Sequence, residues 1–175
     1  MVLLIVGSSH TGKTNLSQKL MEKYKYPYLS IDHIKMGMIR SGCINISVEE
    51  DKKITEYLWP ILREMIKTAI ENNQNMIVEG CYIPFDWKES FERQYLEQIK
   101  YVCLIMTRRY IENHMNDIIA FESIIENRGA YSGCSIAELI EDNEVCYERC
   151  KKYGCNYYLI DDVYDVNKMM EYIQI

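Results

Sequence analysis

Apolar positions along the chain follow two rhythms. Five short runs are nearly continuously apolar: VLLIV at 2–6, YLSI at 28–31, NMIVE at 75–79, YVCLIM at 101–106 and YYLI at 157–160. Such runs are expected of strands covered on both faces. Between them the spacing lengthens. Leu58, Ile61, Leu62, Met65, Ile66, Ala69 and Ile70 recur at i, i+3 and i+4, which places them on one stripe of a helix. Helices are predicted over about 47–73, 109–127 and 136–152. Ser47 with Glu50 and Ser135 with Glu138 have capping-box spacing, and Pro60 is expected to kink or divide the first helix. Strands that alternate with helices imply right-handed crossovers, hence a parallel sheet with helices on both faces. In such α/β sheets ligands bind at the carboxyl ends of the strands.

The first run ends in VGSSHTGKTN, residues 6–15, which contains G-x-x-x-x-G-K-[ST]. The preceding strand and the following helical pattern (Leu16, Lys19, Leu20) are the context this phosphate-binding loop requires. Gly7 and Gly12 free the backbone N–H groups of Ser8, Ser9, His10 and Thr11 to turn inward as an anion nest. A helix starting near Lys13 adds its positive end. Lys13 would reach the β- and γ-phosphates of ATP, and the Thr14 hydroxyl would bind Mg²⁺. His10 occupies a free position of the motif and reads as a spacer.

Phosphate binding does not fix a reaction, and carboxylates narrow it. Asp32 follows the second strand, on the rim that carries the loop. There it can accept the proton of an acceptor hydroxyl, or cap the helix that follows. Glu79 closes the third strand, where it can act on Mg²⁺ or make a local hydrogen bond. Arg108 and Arg109 stand at a helix start after the fourth strand, where the helix dipole opposes a cation unless an anion compensates. NRGAYSG at 127–133 breaks the helical pattern and can serve as a lid that brings Arg128 onto the transferring phosphate; solvated arginines are the plainer alternative. Tyr82, Phe85 and Trp87 can wall an acceptor pocket or pack the core.

Bulk properties exclude other classes. The chain has 175 residues and a net charge of −6, which disfavours binding to nucleic acid or to anionic membranes. The leading apolar run is too short for a signal peptide or a membrane span, so the expected compartment is the cytoplasm. Seven scattered cysteines without a C-x-x-C pair read as reduced thiols; Cys146 and Cys150 alone have spacing that could hold a metal on a helix. The GTPase motif N-K-x-D is absent, since NKMM at 167–170 lacks the aspartate.

In its order of elements the chain resembles the nucleoside-monophosphate-kinase-like group of P-loop kinases: P-loop, Asp32, a helical insertion over about 32–74, Glu79-Gly80, Arg108-Arg109, and a lid over about 108–134. Only GSSHTGKT matches residue by residue. The resemblance implies one α/β domain over 1–175, a five-stranded parallel sheet of order 2-3-1-4-5, and transfer of the γ-phosphoryl group of Mg·ATP to a small-molecule acceptor. Adenylate kinases carry Gly-Asp-x-x-Arg after strand two. Here Ile31 replaces the glycine and Lys35 the arginine, with Arg40 five residues further on. They also carry an arginine after strand three, where this chain reads EGCYIP, a stretch closer to small-molecule kinases such as 2-phosphoglycerate kinase. Lys35, Arg40, Asp32 and Tyr82 are the candidate acceptor contacts. A nucleotide kinase, and a regulator that binds ATP and transfers nothing, are the competing readings.

Overall fold

The computed structural model describes residues 1–121 and 135–175. Five strands, β1 (Val2–Gly7), β2 (Tyr28–Ser30), β3 (Met76–Glu79), β4 (Ile99–Met106) and β5 (Tyr157–Ile160), form one sheet. Every pairing is parallel and the order is β2-β3-β1-β4-β5. The helices are α1 (Lys13–Tyr24), α2 (Ile31–Arg40), α3 (Asp51–Glu71), α4 (Arg93–Leu96), α5 (Arg108–Phe121), α6 (Ile136–Tyr153) and α7 (Val166–Ile173), with a 3-10 turn at Trp87–Ser90. Among the described residues no helix is long and apolar enough to cross a membrane.

The two-residue period of β1 divides the core. Val2, Leu4 and Val6 pack with Ile54, Leu58, Leu62, Ile66 and Ile70 of α3, whereas Leu3 and Ile5 pack with Leu16 and Leu20 of α1 and Met169, Met170 and Ile173 of α7. β1 is buried along its whole length because strands flank it on both sides and helices cover both faces. β2 and β5 are the sheet edges, and each is only partly buried, so not every apolar run is covered on both faces. Trp87 stacks on Tyr101 at 5.5 Å and is buried in the first cluster, so its apolar face serves the core.

Three sequence-predicted boundaries move. Ile31 opens α2 instead of ending β2, because its buried side chain packs against Gly80, whose absent Cβ would lie 2.9 Å from the Ile31 Cβ. Pro60 does not divide its helix: α3 runs from Asp51 to Glu71 through it. Pro60 lies on the exposed side, where water can satisfy the carbonyl deprived of its partner, and the buried stripe on the other side holds the helix together. The Ser47–Glu50 pair forms, with Ser47 N–H donating to Glu50 at 2.9 Å, but it closes a turn just before α3. Ser135 and Glu138 make the reciprocal capping box that starts α6, as the sequence predicts. The loop at 127–133, with Arg128, lies outside the described residues.

Candidate active site

At the carboxyl end of β1, the central strand, the chain turns through residues 8–12 and enters α1 at Lys13. Two glycines make the turn possible. Gly7 has φ 145° and a Cβ there would lie 2.4 Å from the Leu104 carbonyl oxygen; Gly12 has φ 81° and its Cβ would lie 2.2 Å from the Tyr164 hydroxyl. His10 also takes a left-handed φ of 66°, a conformation uncommon outside glycine, in keeping with its place in the turn. Thr11 Oγ1 donates to the Ser8 carbonyl at 3.0 Å and closes the loop from inside. Gly12 caps α1 without a side-chain hydrogen bond, so no side chain satisfies the first-turn N–H groups from the cap position.

Lys13 is only 6% exposed and its ammonium donates to the Ser8 carbonyl at 2.7 Å. The lysine is thus stowed against the loop whose anion it is expected to meet. At the next residue, Thr14 Oγ1 donates to Glu79 Oε1 at 3.2 Å. Glu79 is 1% exposed, at the end of β3, in register with Ile5 of β1. A buried carboxylate beside a hydroxyl is a pair of hard oxygen donors, suited to Mg²⁺ that completes its shell with phosphate oxygens and water. Among the described residues no group of three or more His, Cys, Asp or Glu could hold a metal ion. Cys150 is buried in the first core cluster and Cys146 packs against it. They meet the Cys103 thiol, and that contact pushes Cys103 up and Cys146 down, with the Ser8 backbone also favouring the Cys146 thiolate.

The acceptor-side candidates gather on the same rim. Asp32 is the second residue of α2; Ser30 occupies the cap position, so capping is not the role of Asp32. Lys35, one turn on, pairs with Asp32 at 3.1 Å and donates to the Tyr82 hydroxyl at 2.7 Å, with its ammonium 4.9 Å from the ring centroid. Tyr82 is 5% exposed and donates to Asp51 Oδ1 at 3.1 Å. Burial, then Asp51 and Asp32, push its phenol well above the ordinary range, so it stays a neutral donor. Cys81 follows Gly80 on the same rim and is exposed.

Other expected residues stand apart. Arg109 is paired with Asp161 and, at 2.6 Å, with Asp162 beyond β5, while Arg108 donates to Glu144 at 2.8 Å. Both are exposed and engaged with carboxylates. Arg40 ends α2, exposed, with no hydrogen bond or ion pair among the described residues. Phe85 sits under Arg149 at 5.7 Å and accepts from Cys155 through its carbonyl, away from the Asp32 network.

Three contributors escape a reading of the sequence. Asp51 starts α3 and reaches Tyr82. Asp142 of α6 lies within electrostatic reach of Asp51, and burial, followed by Glu141 and Asp51, raises its carboxyl. Tyr164 covers Gly12, donating to its carbonyl at 3.3 Å and accepting from Asn15 at 3.2 Å. None belongs to a local motif, and each is brought in by packing between distant elements.

Neither a protein-family model nor a curated protein sequence matches this chain. Its likeness is to solved structures. A candidate kinase from Chloroflexus aurantiacus is 17% identical with a TM-score of 0.58, over 99% of this chain and 96% of that one. A sugar kinase from Janibacter is 14% identical with a TM-score of 0.52, over 98% and 90%. Shikimate kinase from Aquifex aeolicus is 16% identical with a TM-score of 0.51, over 99% and 93%. The common ground is the P-loop kinase α/β fold, with its five parallel strands in the order 2-3-1-4-5.

Proposed function

We propose that the chain is an ATP-dependent phosphotransferase that moves the γ-phosphoryl group to a hydroxyl of a small molecule. The observation that carries this reading is convergence. The stowed Lys13, the Thr14–Glu79 pair and Asp32 follow the carboxyl ends of the adjacent strands β1, β3 and β2. The kinase descriptions of the fold neighbours support it.

In this reading Lys13 leaves the Ser8 carbonyl for the β- and γ-phosphate oxygens, while the loop N–H groups and the end of α1 hold the rest of the triphosphate. Thr14 and Glu79 would hold Mg²⁺, which when bound neutralises phosphate charge. Asp32 orients the acceptor hydroxyl and takes its proton as the oxygen bonds to the γ-phosphorus and the bond to the ADP oxygen breaks. Lys35, 3.1 Å from Asp32, fixes the direction of that carboxylate. Arg128 is proposed to close onto the transferring phosphate from the lid, and Arg108 and Arg109 to reach the nucleotide if released from their carboxylates. The test is ADP release with Mg·ATP across a panel of sugars, nucleosides, nucleotides and hydroxy acids. Stimulation by an acceptor supports transfer. Tight ATP binding without stimulation by any of them supports the regulator instead.

A further inference from the structure

Tyr164 reaches the phosphate loop from outside the motif. It belongs to the connection between β5 and α7, and that connection is pinned on both sides of the tyrosine. Before it, Asp161 accepts from Thr107 Oγ1 at 2.7 Å and pairs with Arg109. After it, Asp165 caps α7, its side chain accepting from the N–H groups of Asn167 and Lys168. α7 in turn packs on α1 in the second core cluster. A fixed stretch of chain therefore presents the tyrosine to the loop.

The Tyr164 hydroxyl makes two hydrogen bonds of defined direction. The Gly12 carbonyl can only accept, so the hydroxyl donates its proton there, at 3.3 Å. Asn15 Nδ2 donates to the hydroxyl oxygen at 3.2 Å. The ring closes the contact, since a Cβ at Gly12 would lie within 2.7 Å of two of its carbons.

Gly12 and Lys13 are joined by a trans peptide, a plane in which the C=O and N–H groups point in opposite directions. The Gly12 carbonyl is held by the Leu16 N–H at 3.0 Å and by the Tyr164 hydroxyl. Fixing that oxygen fixes the Lys13 N–H on the other side of the plane. This N–H is one of the orphan donors at the start of α1, and no side chain at the cap position satisfies them. Such donors are the ones that hold an anion at a helix start. Gly12 itself is permissive backbone at φ 81°, so the restraint on the plane comes from its neighbours.

Resting on the phosphate site proposed above, we infer that Tyr164 is a positioning residue for the bound triphosphate. It acts through the Gly12–Lys13 peptide, and Asn15 sets the direction in which its hydroxyl donates.

The experiment measures binding of ATP and of tripolyphosphate, each with Mg²⁺, to the full chain by calorimetry. The proteins are wild type, Tyr164→Phe, Asn15→Ala, the double variant and Lys13→Ala, each confirmed as folded by far-UV circular dichroism. Phenylalanine keeps the ring on Gly12 and removes only the hydroxyl. In Tyr164→Phe the Kd values of ATP and tripolyphosphate should rise together by at least about threefold, the scale of one neutral hydrogen bond. Asn15→Ala frees the hydroxyl to turn and should weaken both ligands, by less in the Tyr164→Phe background than in wild type. Unchanged Kd values in Tyr164→Phe, or additive effects of the two substitutions, overturn the inference and leave the phosphate site standing. ATP weakened while tripolyphosphate is unaffected, or is not bound even by wild type, also overturns it, because the phosphates then do not carry the loss. Should Tyr164→Phe not fold, Asn15→Ala alone decides by whether both ligands weaken. ATP binding that is absent, or indifferent to Lys13→Ala, overturns the phosphate site itself, and the inference falls with it.

Discussion

Substituting Gly12 tests whether the tyrosine of the distant β5–α7 connection shapes the phosphate loop. Alanine at position 12 meets two penalties. The backbone is left-handed at φ 81°, which disfavours an L side chain by about 1–2 kcal/mol. The new Cβ would also lie 2.2 Å from the Tyr164 hydroxyl and within 2.7 Å of two ring carbons. Forcing such an overlap in packed surroundings costs about 1–3 kcal/mol. Gly12→Ala should therefore destabilise by about 2–5 kcal/mol. Tyr164→Ala removes the obstacle together with its hydrogen bonds to Gly12 and Asn15. In that background Gly12→Ala should retain only the backbone penalty. A double-mutant cycle from urea unfolding of the four proteins should then show a coupling of about 1–3 kcal/mol. Additivity within about 0.5 kcal/mol would refute the reasoning, since distant or non-interacting pairs behave that way. Tyr164→Phe offers a control. It keeps the ring carbons that clash and loses only the hydroxyl, so it should relieve little of the penalty.

Lys13→Ala is expected to weaken ATP binding at least tenfold by calorimetry, with unchanged far-UV circular dichroism, because a charge-assisted contact to phosphate is lost. Glu79→Gln is expected to shift the Mg²⁺ concentration that half-saturates ATP-dependent turnover upward at least fivefold, as the buried carboxylate beside Thr14 is lost; an unchanged Mg²⁺ dependence would remove Glu79 from the metal site. Hydrogen bonding from Thr107, then Arg109, holds the Asp161 carboxyl below its ordinary value. A depressed carboxyl contributes stability that is full above its unfolded value, about 3.9, and is lost as the pH falls through the folded one. Thermal unfolding of Asp161→Asn should accordingly lose part of the acid limb of the Tm profile. The effect should be small because the pair is exposed.

Local signals made the frame of this molecule legible. The strand runs and the P-loop are written in consecutive residues, and the order of the parallel sheet follows from the resemblance they carry. Edge burial was not legible, because YYLI reads as apolar as VLLIV although only the latter has strands on both sides. Asp32 and Glu79 could be placed because each follows a strand. Asp51 resembles a solvated helix acid in sequence, and only the packing of α3 against the loop after β3 brings it to Tyr82. Tyr164 lies 152 residues from Gly12, beyond the reach of any spacing rule. For Arg108 and Arg109 the sequence marks the helix start but not the carboxylates of α6 and the loop after β5 that engage them.

The measurement closest to the central claim is acceptor-dependent ADP formation by wild type and Asp32→Asn, with ATP affinity determined on both. Asparagine keeps the shape of the side chain and removes the base. Turnover on the acceptor found in the panel should fall by about 10²–10⁴, with the loss toward the low end because phosphoryl transfer needs little early proton abstraction. ATP affinity should stay within twofold. Turnover within twofold of wild type would contradict the account, since Asp32 would then take no part as base in the transfer.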